Sequence, residues 1–357
     1  MGNKNIKQKN QRGLFDEELR LDKLKRQGDP LLKLKDLIDW EFFRQIIESN
    51  LKEEAKGLGG RPAYDTILKF KMLILQRYYN ISDEQLEYQV NDRLSFMRFL
   101  DITLADDVPD CNTIRYFRDT LTSKNIIEKL FKEFGTMLSE KGYMANEGSI
   151  VDASFIEVPK QRNTRDENDD IKNNKIPEEW KKEENKDKLA HKDTDARWTK
   201  KNNISYYGYK NHAKVDIQSK LIKDYKLTSA NVHDSQVLAD LLDETDRGKE
   251  IYADSAYSGQ DDIITQNGVI EKICEKGCRY KKLTDEQKHT NTSKSKIRAR
   301  VEHVFGFIEN SMHGSYIRTI GKIRAGCAIG LMNLTYNIFR YIHLQRVKFT
   351  PLMKQLA

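Results

Sequence analysis

Cysteine is scarce in this chain, four among 357 residues, which excludes a small disulfide-stapled scaffold and agrees with a reducing compartment. Long apolar runs are missing too. No stretch approaches the roughly 20 uninterrupted apolar residues that a spanning helix needs, and the opening MGNKNIKQKNQRG lacks the apolar core of a signal peptide. A soluble cytoplasmic chain with no membrane partner is therefore expected. At 38% hydrophobic residues it still has enough apolar bulk for one large domain or two.

The charge is unevenly spread. The formal total is only +7, yet from Lys288 to Ala357 twelve Lys or Arg face just Glu302 and Glu309, a net of +10 that leaves −3 for everything before it. A basic excess confined to one end suits a polyanion-facing surface, although a solvated tail has the same composition. Nucleic acid becomes the leading partner class.

Hydrophobic periodicity divides the chain. Residues 1–28 read as a mobile polar arm, 29–145 as a helical DNA-binding domain, 146–346 as an α/β domain and 347–357 as a tail. Pro30 opens a helix with a stripe at Leu34, Leu37, Ile38, Phe42, Ile46 and Ile47, and Gly59, Gly60, Arg61 and Pro62 punctuate the chain before the next. Ser82 with Gln85, then Asp110, are helix-capping signals. They frame two helices in a helix-turn-helix layout, the second carrying Thr113, Arg115, Tyr116 and Arg118; ordinary bundle packing explains the pattern equally well.

From Ser149 the period changes. SIVDASFIEV, YGYKNHAKVDIQ, LIKDYKLTS, KEIYAD and VIEKIC read as strands, the second and third joined by a hairpin at Gln218–Lys220. Helices are expected from Asp234, after Gly259, from about Ser293 to Asn310, and from Gly321 to Leu344, where Asn333 and Asn337 argue against a membrane span. The whole is a mixed sheet flanked by helices. Residues 160–201, with 24 charged residues among 42, read as a solvated insertion.

Three acids stand out by position. Asp152 interrupts an apolar strand, where a buried carboxylate needs compensation. Asp254 follows a strand end, where open α/β sheets present functional groups. Glu302 lies in RARVEHVFG on the basic helix. Singly, each is most simply a solubilising residue. Together, two sheet-borne aspartates and a helix-borne glutamate can converge on hard divalent cations, and two such ions stabilise in-line displacement at phosphorus.

At these residues the sequence resembles a family. IVDASFIE, YYGYKNHAKVD, NVHDS, IYADSAYSG and RARVEHVFGFIE are similar to the catalytic half of bacterial insertion-sequence transposases of the DDE class, in the insertion-sequence-five group. GRPAYDTILKFKMLILQRYYNISDEQLEYQVNDRLSFMRFL and VPDCNTIRYFRDTL resemble that group's N-terminal domain. The resemblance implies an RNase H-like fold, a catalytic and metal-binding triad of Asp152, Asp254 and Glu302, and two magnesium ions, with manganese as a substitute. It implies double-stranded DNA as partner, both element ends and target, a homodimer in the DNA complex, and a nucleoid-associated place in the bacterial cytoplasm. The family signature Tyr-(2)-Arg-(3)-Glu-(6)-Lys is met at Arg298 and Glu302, whereas Ser295 and Glu309 stand at the tyrosine and lysine positions. On a regular helix Glu309 returns to nearly the face of Glu302, an acid where a DNA-contacting base belongs. Arg115, Arg118, Lys210, His212, Arg298 and Arg300 are the expected DNA contacts. An inactive or domesticated DNA-binding protein, or a metal-dependent nuclease without joining activity, remain the rival readings.

Cys274 and Cys278 lack the further ligands of a closed zinc site. Trp198, Tyr206, Tyr207 and Tyr209 are either base-stacking surfaces or cross-strand partners. Val301, Val304, Phe305 and Ile308 are expected to dock the Glu302 helix on the sheet.

Overall fold

The computed structural model describes residues 13–51, 62–201, 203–277 and 282–349. Gly59, Gly60, Arg61 and Cys278, the first part of the expected arm and most of the expected tail lie outside the described residues. Among the described residues eight helices come first: α1 (Asp16–Arg26), α2 (Pro30–Leu37), α3 (Trp40–Leu51), α4 (Thr66–Tyr79), α5 (Asp83–Asp92), α6 (Leu94–Leu100), α7 (Cys111–Ser123) and α8 (Ile126–Glu140). Three of their starts follow these side-chain caps: Asp65 accepts from Ile67 and Leu68 N–H, Ser82 from Gln85 N–H, and Asp110 from Thr113 N–H.

Two expectations here need correction. The stripe beginning at Pro30 is two helices, because Asp39 accepts from the N–H groups of Glu41 and Phe42 and starts a new helix there. Trp40, Phe43 and Ile47 then face the core, while Leu37 is left 40% exposed. The expected helix-turn-helix has no tight turn either. Helix α6 and a loop separate α5 from α7, and the pair is tied by Arg118, whose guanidinium donates to both Asp83 carboxylate oxygens at 2.6 and 2.9 Å.

Next come β1 (Gly148–Glu157), short helices α9 (Arg165–Lys172), α10 (Glu178–Lys181) and α11 (Lys186–Ala190), then β2 (Arg197–Lys201), β3 (Ile204–Asp216), β4 (Ile222–Ser229), α12 (Leu238–Leu241), β5 (Glu250–Ala253), α13 (Asp261–Asn267) and β6 (Ile270–Ile273). α14 (Asp285–Arg298), α15 (Glu302–Gly306) and α16 (Lys322–Arg346) complete the chain. Strand β3 lies antiparallel to β1, and β5 and β6 add in parallel beyond β1. On its other side β3 pairs with β2 through Ile204–Gly208 and with β4 through Tyr209–Val215. The order β4-β3-β1-β5-β6 is that of an RNase H-like mixed sheet.

Strand β3 changes partner at Gly208, whose φ is +151°. A Cβ there would sit 2.2 Å from the Ile156 carbonyl oxygen on β1. Gly208→Ala therefore forces β1 and β3 apart at Ile156 and Glu157, and the expected outcome is a thermal midpoint lowered by several degrees in a melting experiment.

The charged insertion is more ordered than its composition suggests. It supplies strand β2, and it buries Trp180 and Ile171, with the Trp180 indole donating to Glu167 at 2.7 Å. Asp193 also sits at 1% exposure, accepting from the Tyr209 hydroxyl and from Gly321 N–H, while Asp195 accepts from Lys322 N–H. Two acids of the insertion thus satisfy the first free donors of α16.

Helix α16 is the spine of the molecule, packing on α2, α4, α7, α8 and β4. One continuous core, from Leu31 to Leu344, unites the N-terminal helices with one face of the sheet, and a smaller one around Val151, Leu238, Ile251 and Tyr257 lies on the opposite face. Asn333 exchanges two amide hydrogen bonds with Asn211 on β3, and Asn337 clamps the N–H and C=O of Ile222 on β4. No described helix is long and apolar enough to cross a membrane.

Candidate active site

Strand β1 carries Asp152 among buried neighbours Ile150 and Val151. The parallel register pairs Ser149 with Ile251 and Ile150 with Tyr252, and carried two residues further it sets Asp152 beside Asp254. Asp254 ends β5 and accepts from Ala256 N–H at 2.8 Å, opening the turn Ser255–Tyr257. Burial raises the Asp152 carboxyl above the ordinary aspartate range, and the neighbouring Asp254 charge adds to the rise. Opposing it are the Ala153 N–H, which Asp152 accepts at 2.9 Å, and the Arg298 guanidinium, 3.6 Å away. A desolvated carboxylate next to a like charge is short of positive charge.

Glu302 comes from a different element. It opens α15 as an exposed residue, and among the described residues no three His, Cys, Asp or Glu side chains are placed to hold a metal ion. The cause is local. Between Arg298 and Glu302 the hydrogen bonds shorten to i→i−3, as in Val301 N–H to Arg298 C=O and Glu302 N–H to Ala299 C=O, so the single helix expected from Ser293 to Asn310 is interrupted. Val301, Val304, Phe305 and Ile308 are buried as expected, which fixes α15 on the core. Residues Phe307–Ser311 then form a π-helical turn closed by Met312 N–H to Phe307 C=O, so a regular wheel no longer relates Glu309 to Glu302. Glu309 is exposed.

Behind the aspartates lies a group that sequence reasoning missed. The Tyr257 hydroxyl is buried without a hydrogen-bond partner, and its proton is held far more tightly than usual by burial and by the charges of Asp234, Asp152 and Asp254. Its signal was the motif IYADSAYSG itself, in which only the aspartate drew notice. Asp234, expected as a helix cap, instead receives the Lys210 ammonium at 2.8 Å, and the turn it opens is capped by His233.

A family model described as "Transposase DDE domain" matches residues 144–338, and one described as "Transposase domain (DUF772)" matches residues 19–120. The chain belongs to the DDE transposase family. Among solved structures, the cryo-EM structure of the piggyBac transposase synaptic complex with hairpin DNA is similar at a TM-score of 0.44 and 13% identity, covering 91% of this chain and 77% of that one.

The residues of this transposase expected to meet DNA are placed unequally. Arg115 is exposed on α7, donating only to Asn112 of the same helix, with Tyr116 beside it at 69% exposure. Arg300 is exposed and reaches the Ile217 carbonyl, and Arg298 faces Asp152. Arg118 is engaged by Asp83. Lys210 and His212, expected at the surface of the hairpin, are buried: Lys210 is held by Asp234 and the Val232 carbonyl, and His212 shares a hydrogen bond with Thr228. Burial pushes the imidazole down to about 4, with Lys210 contributing, so it is neutral at pH 7. The aromatic strand divides likewise. Tyr207 and Tyr209 are core, Tyr206 stacks on Phe155 at 4.4 Å, and only Trp198, with Lys160 over its ring, presents a largely open face. Cys274 is buried against Ser295, the residue at the signature's tyrosine position.

Proposed function

We propose that this transposase binds the terminal inverted repeats of its own insertion sequence and catalyses DNA cleavage and strand transfer with magnesium held by Asp152, Asp254 and Glu302. What supports the reading is the parallel register of β1 and β5, which carried two residues further brings Asp254 beside Asp152, together with the desolvation of Asp152 and the Asp254 charge acting on it. That donor set fits a hard divalent cation. Two such ions, when bound, stabilise the entering and leaving oxygens of an in-line displacement at phosphorus.

The chain's own residues do the rest. Arg298 partly neutralises Asp152 and is free to turn to a phosphate when a cation takes its place. The Tyr257 hydroxyl, buried without a hydrogen-bond partner, feels the charges of the same aspartates. Glu302 joins from α15 once DNA is engaged, with the tightened turn at residues 299–301 as the point that moves. In this reading residues 29–145 present α7 to the element end, 146–346 perform the chemistry, and two copies pair the two ends in the bacterial cytoplasm, at the nucleoid.

A duplex carrying the labelled terminal repeat tests this directly. In magnesium the protein is expected to release 3′-hydroxyl ends and join them to target DNA, and in EDTA to do neither. Cleavage without joined products means a nuclease. A gel shift with no cleavage means a DNA-binding protein.

A further inference from the structure

Far from the aspartates in sequence, a cavity of about 710 Å³ opens between α7 and the segment leading into α16. Its wall carries five arginines, Arg77, Arg115, Arg118, Arg318 and Arg324, against a single acid, Asp119. Like charges at such density repel unless an anion is present, and the protein supplies few. Arg118 is paired with Asp83, which is outside the wall, while Arg77, Arg318 and Arg324 have no carboxylate within ion-pair distance among the described residues. Two polar groups of the wall are buried with no hydrogen-bond partner: the Arg77 Nε and the Thr319 Oγ1. A buried donor without an acceptor costs about 1–3 kcal/mol, so such groups are expected where a ligand completes them. Burial and the Arg118 charge push Arg77 down to about 10, the direction of a cation lacking counter-charge.

We infer that this cavity receives the sugar-phosphate backbone of duplex DNA, with Arg77, Arg318, Arg324 and Thr319 as phosphate donors. The geometry commits to DNA rather than to a small anion for two reasons. The volume exceeds what one phosphate fills and matches sites for extended ligands. The cavity also continues onto the exposed face of α7, where Asn112, Arg115 and Tyr116 are open to solvent, so a strand lying in it is held against a helix that can meet bases. The proposal rests on the DNA-binding part of the reading above and adds where the backbone is gripped. It also joins the basic C-terminal segment to the helical N-terminal region through one surface.

The test is the salt dependence of binding of the full chain to a random-sequence 30-base-pair duplex. Each phosphate contact contributes about −0.9 to the slope of log K against log salt. Arg318→Gln/Arg324→Gln is expected to flatten the slope by about two units, and Arg318→Lys/Arg324→Lys to retain it. Lys129→Gln/Lys132→Gln, the same charge change on α8, should leave it unchanged. Both arginines are exposed and make no ion pair among the described residues, so a melting curve like that of the parent is expected. A slope equal to the parent's, or a loss no larger than that of the α8 control, overturns the inference. Inorganic phosphate supplies the other arm: if it raises the melting temperature of the parent but not of the double variant, while the DNA slope is unchanged, the site takes a small anion and the DNA assignment fails. Failure of the wider reading looks different, since the parent itself would then not bind or cut DNA.

Discussion

Asp152→Asn is expected to lower strand cleavage by at least about a thousandfold and, in the same protein without divalent metal, to raise the melting temperature. The first effect follows from metal-assisted displacement, in which a bound cation stabilises the transition state by several kcal/mol, and about 1.4 kcal/mol is a decade in rate. An amide keeps the size and the Ala153 contact but loses the charge that attracts the cation. The second effect follows from linkage. The Asp152 carboxyl is raised above its ordinary value by burial and by Asp254, so the fold prefers its protonated form. Stability from this group is complete below the unfolded value and is lost as pH rises through the folded one, and at pH 7 the ionised side chain is a net cost. Asparagine cannot ionise and removes the cost; the gain should fade near pH 3, where the parent is protonated too. Magnesium should then stabilise the parent and not the variant. A variant that melts lower than the parent at pH 7, or still cuts at the parent's rate, would sink the assignment.

How much of this was legible in the sequence depends on whether the deciding contact was local. Strand identities, the hairpin at Lys220 and the caps at Ser82 and Asp110 are set within a few residues, and their types and spacings announced them. The neighbouring aspartates were legible because each sits at a marked place in its strand. What escaped was decided at long range. YGYKNHAKVD is polar on both faces, and nothing local shows that Lys210 is met by Asp234 and Lys214 by Asp243 and Asp246 across the sheet. A lysine so paired is buried, where composition alone predicts a surface residue. The insertion misled for the same reason: its apolar residues are few, but Trp180 and Ile171 are buried, with Glu167, Lys188 and Lys192 set against the Trp180 ring. Arg77, in the apolar run MLILQRYY, gave a signal of the same kind as Asp152, a charge within a buried element, and two of the arginines that share its cavity wall, Arg318 and Arg324, lie far along the chain.

Asn337→Ala should be among the most destabilising single changes in the chain. Its amide accepts from Ile222 N–H at 2.9 Å and donates to Ile222 C=O at 2.8 Å, and both residues are fully buried. Alanine leaves both groups of the strand backbone without partners, at about 1–3 kcal/mol each. A total on the order of 3 kcal/mol corresponds to a fall of roughly 6 to 12 °C in melting temperature. Thr335→Val, two residues away and equally buried, removes only a hydroxyl bond to the Leu331 carbonyl within α16, so a much smaller change is expected. Asn211→Ala and Asn333→Ala, whose amides pair with each other, should together cost less than the sum of the two singly, because each alone orphans its partner. The form of the transition carries further information. Helix α16 touches α4 and α8 as well as β4, so loosening its grip on β4 should lower the unfolding of the N-terminal helices and of the sheet together, in one transition followed by helical and tryptophan signals alike. Two separated transitions would mean that the shared core does not couple them, and that the basic wall at Arg318 and Arg324 can move independently of α7.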